Sequence, residues 1–170
     1  MARKRRAPPT EGFALRPAWR RDDPAIEADA IAFWRRLAIL PGKVAPEARA
    51  KELVAAAYKD GRLVGVTTAT LDRLEFLRAR LAMLRGAVDP EFRRGRAGLA
   101  LALYSRDLIA RWSSDHPDER VAGLGAIVES PDLIARQREP VWPQTGFVLV
   151  GYTKDGRQIR VSWFENFRLD

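Results

Sequence analysis

Cysteine is absent from this chain and histidine occurs once, as His116. Without a thiol there is no disulfide, no thiolate nucleophile and no cysteine-based zinc site. The single histidine stands in Ser114-Asp115-His116-Pro117-Asp118, which reads as a surface loop following a helix. No second histidine and no suitably spaced carboxylate group accompanies it, so no metal site is expected. Long apolar runs are missing too: none approaches the ~20 residues that a membrane span requires. The N-terminal stretch lacks the apolar core of about 7–15 residues that marks a secretory signal. The expectation is a cytoplasmic protein without a membrane segment.

What is present bounds the class further. At 170 residues with 46% hydrophobic content, one domain with a substantial core is expected, burying about 70% of its unfolded-chain surface. Of the net charge of +8, Arg3, Lys4, Arg5 and Arg6 supply four, and residues 1–10 contain no acid, which leaves +4 for the rest. That surplus is ordinary for a compact domain and does not by itself indicate nucleic acid. With Pro8-Pro9, residues 1–12 read as a flexible basic arm and residues 13–170 as the folded unit.

Along the chain, residues 13–19 read as a short strand. Asp22 and Asp23 before Pro24 form a helix start, and Ile26, Ala30, Phe33, Trp34 and Leu37 then mark one helical face. Pro41-Gly42 closes this segment, and a shorter helix is expected over residues 46–53. Residues 54–58 and 63–70 are apolar runs flanking Asp60-Gly61, a type I′ hairpin turn. The tetrapeptide Lys-Asp-Gly-Arg recurs at 59–62 and 154–157, which reads as two independent hairpins with the same turn chemistry. A strand over residues 78–88 follows, then a helix with a stripe at Ala97, Leu101, Tyr104, Leu108 and Trp112. Residues 121–128 form an unbroken apolar run, as expected of a strand covered on both faces. Ser130-Pro131-Asp132 starts another helix, and residues 147–152 and 158–164 close the chain as a hairpin. The order is β-α-α-β-β-β-α-β-α-β-β.

Between the fourth strand and its helix stands Val88-Asp89-Pro90-Glu91-Phe92-Arg93-Arg94-Gly95-Arg96-Ala97-Gly98. A helix N-terminus offers unpaired amides and the positive end of its dipole, two glycines permit close approach, and three arginines add charge. This combination suits a phosphorylated cofactor, although a solvated basic turn would look the same in isolation.

This order of elements, with that turn, resembles the GNAT superfamily of N-acetyltransferases over roughly residues 13–165. The family's turn reads approximately [Gln/Arg]-x-x-Gly-x-[Gly/Ala]; here Arg93 opens it, Arg96 stands at the first glycine position and Gly98 fits the last. Gly146-Phe147 before the closing hairpin fits as well. The resemblance implies an α+β fold, a mixed and mainly antiparallel twisted sheet flanked by helices on both faces. It implies acetyl-CoA as cosubstrate, with Gly86, Ala87 and Val88 contacting the pantetheine arm. Arg93, Arg94, Gly95, Arg96, Ala97 and Gly98 would hold the pyrophosphate. A splayed gap between strands four and five would take the thioester, and a strand-four amide would face its carbonyl oxygen.

Glu129, after strand five, is the carboxylate best placed to act as general base, directly or through water; it could equally neutralise nearby arginines. Where the resemblance leads one to expect a tyrosine acid, four residues before Gly146, the chain has Trp142, whose indole N–H is no useful acid. Tyr104 and Tyr152 remain as alternative acids. The implied function is an acetyl-CoA-dependent N-acyltransferase that moves an acetyl group to a small-molecule or peptide amine by direct attack on the thioester. The alternative is a catalytically silent acyl-CoA-binding or interaction protein of the same fold. A nucleic-acid binder is disfavoured, since no nucleic-acid motif is present. Trp163 and Phe164 alternate with polar residues and could pack the core or line a homodimer contact.

Overall fold

The structure is a computed structural model and describes residues 12–94, 96–165, 167 and 169. The basic arm, Gly12 apart, and Gly95 of the arginine turn lie outside the described residues.

Among the described residues seven strands form one sheet: β1 (Ala14–Pro17), β2 (Leu53–Lys59), β3 (Arg62–Leu74), β4 (Ala79–Val88), β5 (Val121–Ile127), β6 (Val148–Tyr152) and β7 (Gln158–Trp163). The helices are α1 (Pro24–Leu37), α2 (Pro46–Ala50), α3 (Ala97–Asp115) and α4 (Pro131–Arg136). The strand order is β1-β2-β3-β4-β5-β7-β6, antiparallel throughout except for the parallel pair β4–β5. This is the mixed α+β architecture and the element order expected from the sequence.

The helices begin where side-chain chemistry permits. At α1 the Ile26 amide donates to Asp23 Oδ1 (3.1 Å) and Pro24 takes the first turn, where its missing N–H costs nothing. At α4 the Leu133 amide donates to Ser130 Oγ (3.3 Å) in the same manner. Small residues let helices press on both faces of β2. Ala56 packs with Ile26, Ala30, Phe33 and Trp34 of α1, while Ala55 and Ala57 pack with Ala97 and Leu101 of α3. Leu133 and Ile134 of α4 join the cluster of Ile109, Val121 and Leu124, so α3 and α4 share one face and α1 the other.

Some boundaries differ from the sequence reading, for local reasons. The α2 helix stops at Ala50 rather than residue 53, because Leu53 is drawn into the β2–β3 ladder opposite Thr68. The β3 strand runs on to Leu74 through the polar Asp72 and Arg73, which pair with Leu81 and Arg80 of β4. The two Lys-Asp-Gly-Arg turns are not alike. Asp60 and Gly61 both have positive φ (49° and 76°), as a type I′ turn demands, whereas at the second copy Gly156 is left-handed (φ 84°) and Asp155 is not. There the Gly156 amide donates to the Thr153 carbonyl (2.9 Å) and the Thr153 amide to the Arg157 carbonyl (2.8 Å), a longer loop with the glycine as its bulge.

Candidate functional site

The parallel ladder between β4 and β5 is short. It runs from Arg80↔Val121 to Met83↔Gly125 and then ends. Beyond it, residues 84–88 of β4 pair with β3 alone, while Ala126 and Ile127 of β5 pair with Arg160 and Ile159 of β7. The strands therefore part into a fork, and the fork opens into a cavity of about 1050 Å³. Strand alternation puts Leu84, Gly86 and Val88 on the α3 face and Met83, Arg85 and Ala87 on the other. Ala87 accordingly packs toward the α1 cluster and is not part of the lining, whereas Met83 and Arg85 line the cavity from the far face. The cavity thus passes through the sheet.

At one end lies the N-terminus of α3. Arg96 is its N-cap, in the left-handed region (φ 62°, ψ 5°), with no side-chain hydrogen bond to the first turn. Arg93, Arg94, Arg96 and Gly98 line the cavity here, and Ala97 is buried in the core beneath. Backbone approach is open at Gly86 and Gly98, the two of the three candidate glycines that are among the described residues. A Cβ on Gly98 would meet only Val88 Cγ2 at 3.7 Å, and one on Gly86 would meet Thr67 Cγ2 at 3.8 Å. These are the features a pyrophosphate group requires: free amides, a dipole and cations. Arg93 Nε donates to the Val88 carbonyl (3.3 Å), while Arg94 and Arg96 form no ion pair among the described residues.

Asp89, which the sequence reading passed over, anchors this turn. Its carboxylate is buried and accepts from Arg62 (2.8 Å), Arg36 (2.9 Å) and the Glu91 amide (3.1 Å). Burial would raise its pKa, but the Glu91 amide and the two guanidinium groups outweigh that and hold it below the ordinary carboxylate range. One side chain thereby ties α1, β3 and the approach to the arginine turn together.

The opposite wall is made by residues 129–147. Glu129, the one carboxylate on the lining among the described residues, is mostly exposed and bonded to Arg157 (2.9 Å). Trp142 is buried; its indole N–H donates to the Gln137 carbonyl (3.1 Å) and its ring packs edge-on to Phe147. Beneath it lies Arg160, 1% exposed, with its guanidinium 4.2 Å from the Trp142 ring centre. Arg160 donates to the carbonyls of Pro140 (3.2 Å) and Glu139 (3.1 Å) and to Gln158 Oε1 (2.9 Å). Desolvation lowers its pKa from the ordinary arginine value. Nothing in the alternation of β7 distinguishes Arg160 from a solvent-facing arginine, so sequence gave no signal for it.

The alternative acids lie elsewhere. Tyr104 packs against the α3–β2 cluster and Tyr152 is 61% exposed; neither lines the cavity. Tyr58 is committed to Asp29 (2.8 Å). His116 caps α3, stacked on Trp112 away from the fork. Trp163 packs with the cluster of Leu81 and Val161, and Phe164 with that of Leu124.

No family model and no curated protein matches the sequence. Solved structures do match by fold. The GNAT-family acetyltransferase from Streptococcus pneumoniae superposes with a TM-score of 0.55 at 16% identity, covering 88% of this chain and 96% of that one. The ribosomal-protein-S5-alanine acetyltransferase from Vibrio fischeri gives 0.58 at 11% identity over 94% and 97% of the two chains. N-acetylglutamate synthase from Neisseria gonorrhoeae, complexed with coenzyme A and L-arginine, gives 0.53 at 17% identity; 91% of this chain matches 34% of that longer one. The chain has the GNAT fold.

Proposed function

We propose that this chain is a divergent GNAT acetyltransferase that binds acetyl-CoA and transfers its acetyl group to a primary amine. The observation that carries the reading is the union, in one cavity, of the β4–β5 fork with the arginine-rimmed N-terminus of α3. In this reading the amides of Arg94, Gly95, Arg96, Ala97 and Gly98 and the guanidinium groups of Arg93, Arg94 and Arg96 receive the pyrophosphate. The unpaired backbone edge of Gly86, Ala87 and Val88 receives the pantetheine arm. Acetyl-CoA supplies the activated acyl group as a thioester. A strand-four amide facing the fork stabilises the oxyanion that forms as the amine nitrogen bonds to the carbonyl carbon. The carbon–sulfur bond then breaks, the thiolate leaves, and the new amide nitrogen gives up its second proton to water. Glu129, the sole carboxylate on the lining among the described residues, takes the proton of the incoming ammonium, directly or through water. No phenol reaches the cavity, so the thiolate departs to solvent; a free thiol has a pKa of about 8.5 and need not be protonated to leave. A small-molecule or peptide amine as partner and a cytoplasmic location complete the reading.

One observation favours a second reading, an acyl-CoA-binding protein without turnover. Glu129, the base of the first reading, is paired with Arg157. Two measurements decide. Acetyl-CoA at 100 times its dissociation constant should stabilise the chain by about 2.7 kcal/mol, and Gly98→Val should abolish the shift by closing the approach to the amides. Thiol release with a panel of amines should appear in the wild type and fall at least tenfold in Glu129→Gln, with the thermal shift retained. A thermal shift without thiol release for any amine selects the second reading, and no thermal shift at all defeats both.

A further inference from the structure

We propose that Met83 is the stop that limits the length of the acyl chain this cavity accepts, an assignment that rests on the acyl-CoA reading above. Met83↔Gly125 is the last pair of the parallel ladder, so it marks the vertex of the fork, where an extended chain lying along residues 84–88 of β4 leaves the plane of the sheet, on one side of it over Met83. Gly125 is the seat of the stop. A Cβ there would collide with the Met83 sulfur and stand 3.1 Å from Met83 Cε and 3.3 Å from Leu81 Cδ1. The thioether therefore lies flat over the glycine, with Leu81 closing the space beside it. Met83 is 7% exposed and yet belongs to the cavity lining, so its side chain forms a surface of the chamber as well as part of the core.

Apart from Arg85, which lines the far face two residues along β4, the side chains nearest this stop are apolar. Leu84 and Ala126 line the chamber on the α3 face, and Ile127 lines it from β5. Apolar walls select a hydrocarbon acyl group, and the single unbranched side chain at the vertex sets how much of one fits. Methionine has three flexible torsions, so the limit is graded rather than absolute. Replacing it with alanine removes about three heavy atoms, space for about three chain carbons, each of whose burial improves binding about fourfold.

The test measures binding of free CoA and of acetyl-, propionyl-, butyryl- and hexanoyl-CoA to the full chain by calorimetry, with melting curves to confirm folding. The wild type should bind hexanoyl-CoA at least tenfold more weakly than acetyl-CoA. Met83→Ala should shift that ratio at least tenfold toward hexanoyl-CoA, and Met83→Val, which preserves more of the core, should shift it part of the way. Gly125→Ala should do the opposite. It lifts the thioether off its seat, Leu81 prevents a deeper retreat, and propionyl-CoA should lose affinity relative to acetyl-CoA. An unchanged chain-length profile in the folded Met83 variants, with all the esters still bound, overturns this assignment alone. A wild type that binds neither free CoA nor any ester overturns the acyl-CoA reading and this assignment together.

Discussion

The two ends of the fork cavity are built from opposite materials. At the α3 end, Arg94 and Arg96 form no ion pair among the described residues, the helix start has no side-chain cap, and Gly98 leaves the backbone bare. At the wall of residues 129–147, Trp142 is bonded to Gln137, Arg160 is bonded to Glu139 and Pro140, and Glu129 is paired with Arg157. The first end leaves its polar groups open to a ligand, and the second spends its own on holding a segment in place. Removing a residue should therefore cost affinity at one end and stability at the other.

The largest effect is expected at Arg160. Arg160→Ala leaves a cavity under Trp142 and strips a donor from two carbonyls, so it should destabilise the fold by about 3 kcal/mol, or about 6–12 °C in melting temperature. Arg160→Lys should recover less than half, because an ammonium lacks the planar fork that spans both carbonyls. A melting temperature within 2 °C of the wild type in Arg160→Ala would break the comparison at its firmest point.

Asp89 comes next, since it sits at the ligand end but serves as structure. Asp89→Asn should cost about 1–3 kcal/mol by weakening its bonds to Arg36 and Arg62. Because the folded carboxyl is held below its ordinary value, its contribution is complete above the unfolded pKa of about 3.9 and is lost as pH falls through the folded value. Urea midpoints should therefore differ by a constant amount between about pH 5 and pH 7 and converge below about pH 4. A gap that persists unchanged at low pH would remove the charged carboxylate from the account.

The smallest effect, and the sharpest discriminator, is Arg96→Gly. Relief of the left-handed backbone should leave stability equal or higher by about 0.5–1 kcal/mol. Loss of the rim charge should meanwhile weaken acetyl-CoA up to about fivefold, and less so at high salt. A loss of stability with unaltered affinity would reverse the roles of the two ends.

Most of the frame was legible in the sequence because it rests on local chemistry. Asp23-Pro24 and Ser130-Pro131 cap the helices they precede, and the apolar run of β5 is covered on both faces. The place of the arginine turn between β4 and α3 was legible for the same reason, since the apolar run before it and the helical stripe after it are local patterns. What escaped depends on neighbours far away. Asp72 and Arg73 look like a loop until β4 pairs with them. The second Lys-Asp-Gly-Arg adopts another turn because Thr153, outside the tetrapeptide, hydrogen-bonds to the Arg157 amide (3.0 Å). Met83 reads as an ordinary core residue and Arg160 as a surface one, because neither the glycine across the ladder nor the carbonyls above the guanidinium adjoin them in sequence.

The short parallel ladder also gives β4 a divided character in solution. Between residues 80 and 83 the strand has partners on both edges, but over residues 84–88 only β3 holds it. In an antiparallel pair successive residues turn their amides to alternate sides, so every second amide of residues 84–88 points into the fork. Deuterium should enter these positions quickly and their immediate neighbours slowly, a sawtooth of protection along a single strand. The tooth spacing of two residues belongs to an unzipped edge and not to a frayed one, and it identifies the backbone groups that a strand-like ligand would cover first.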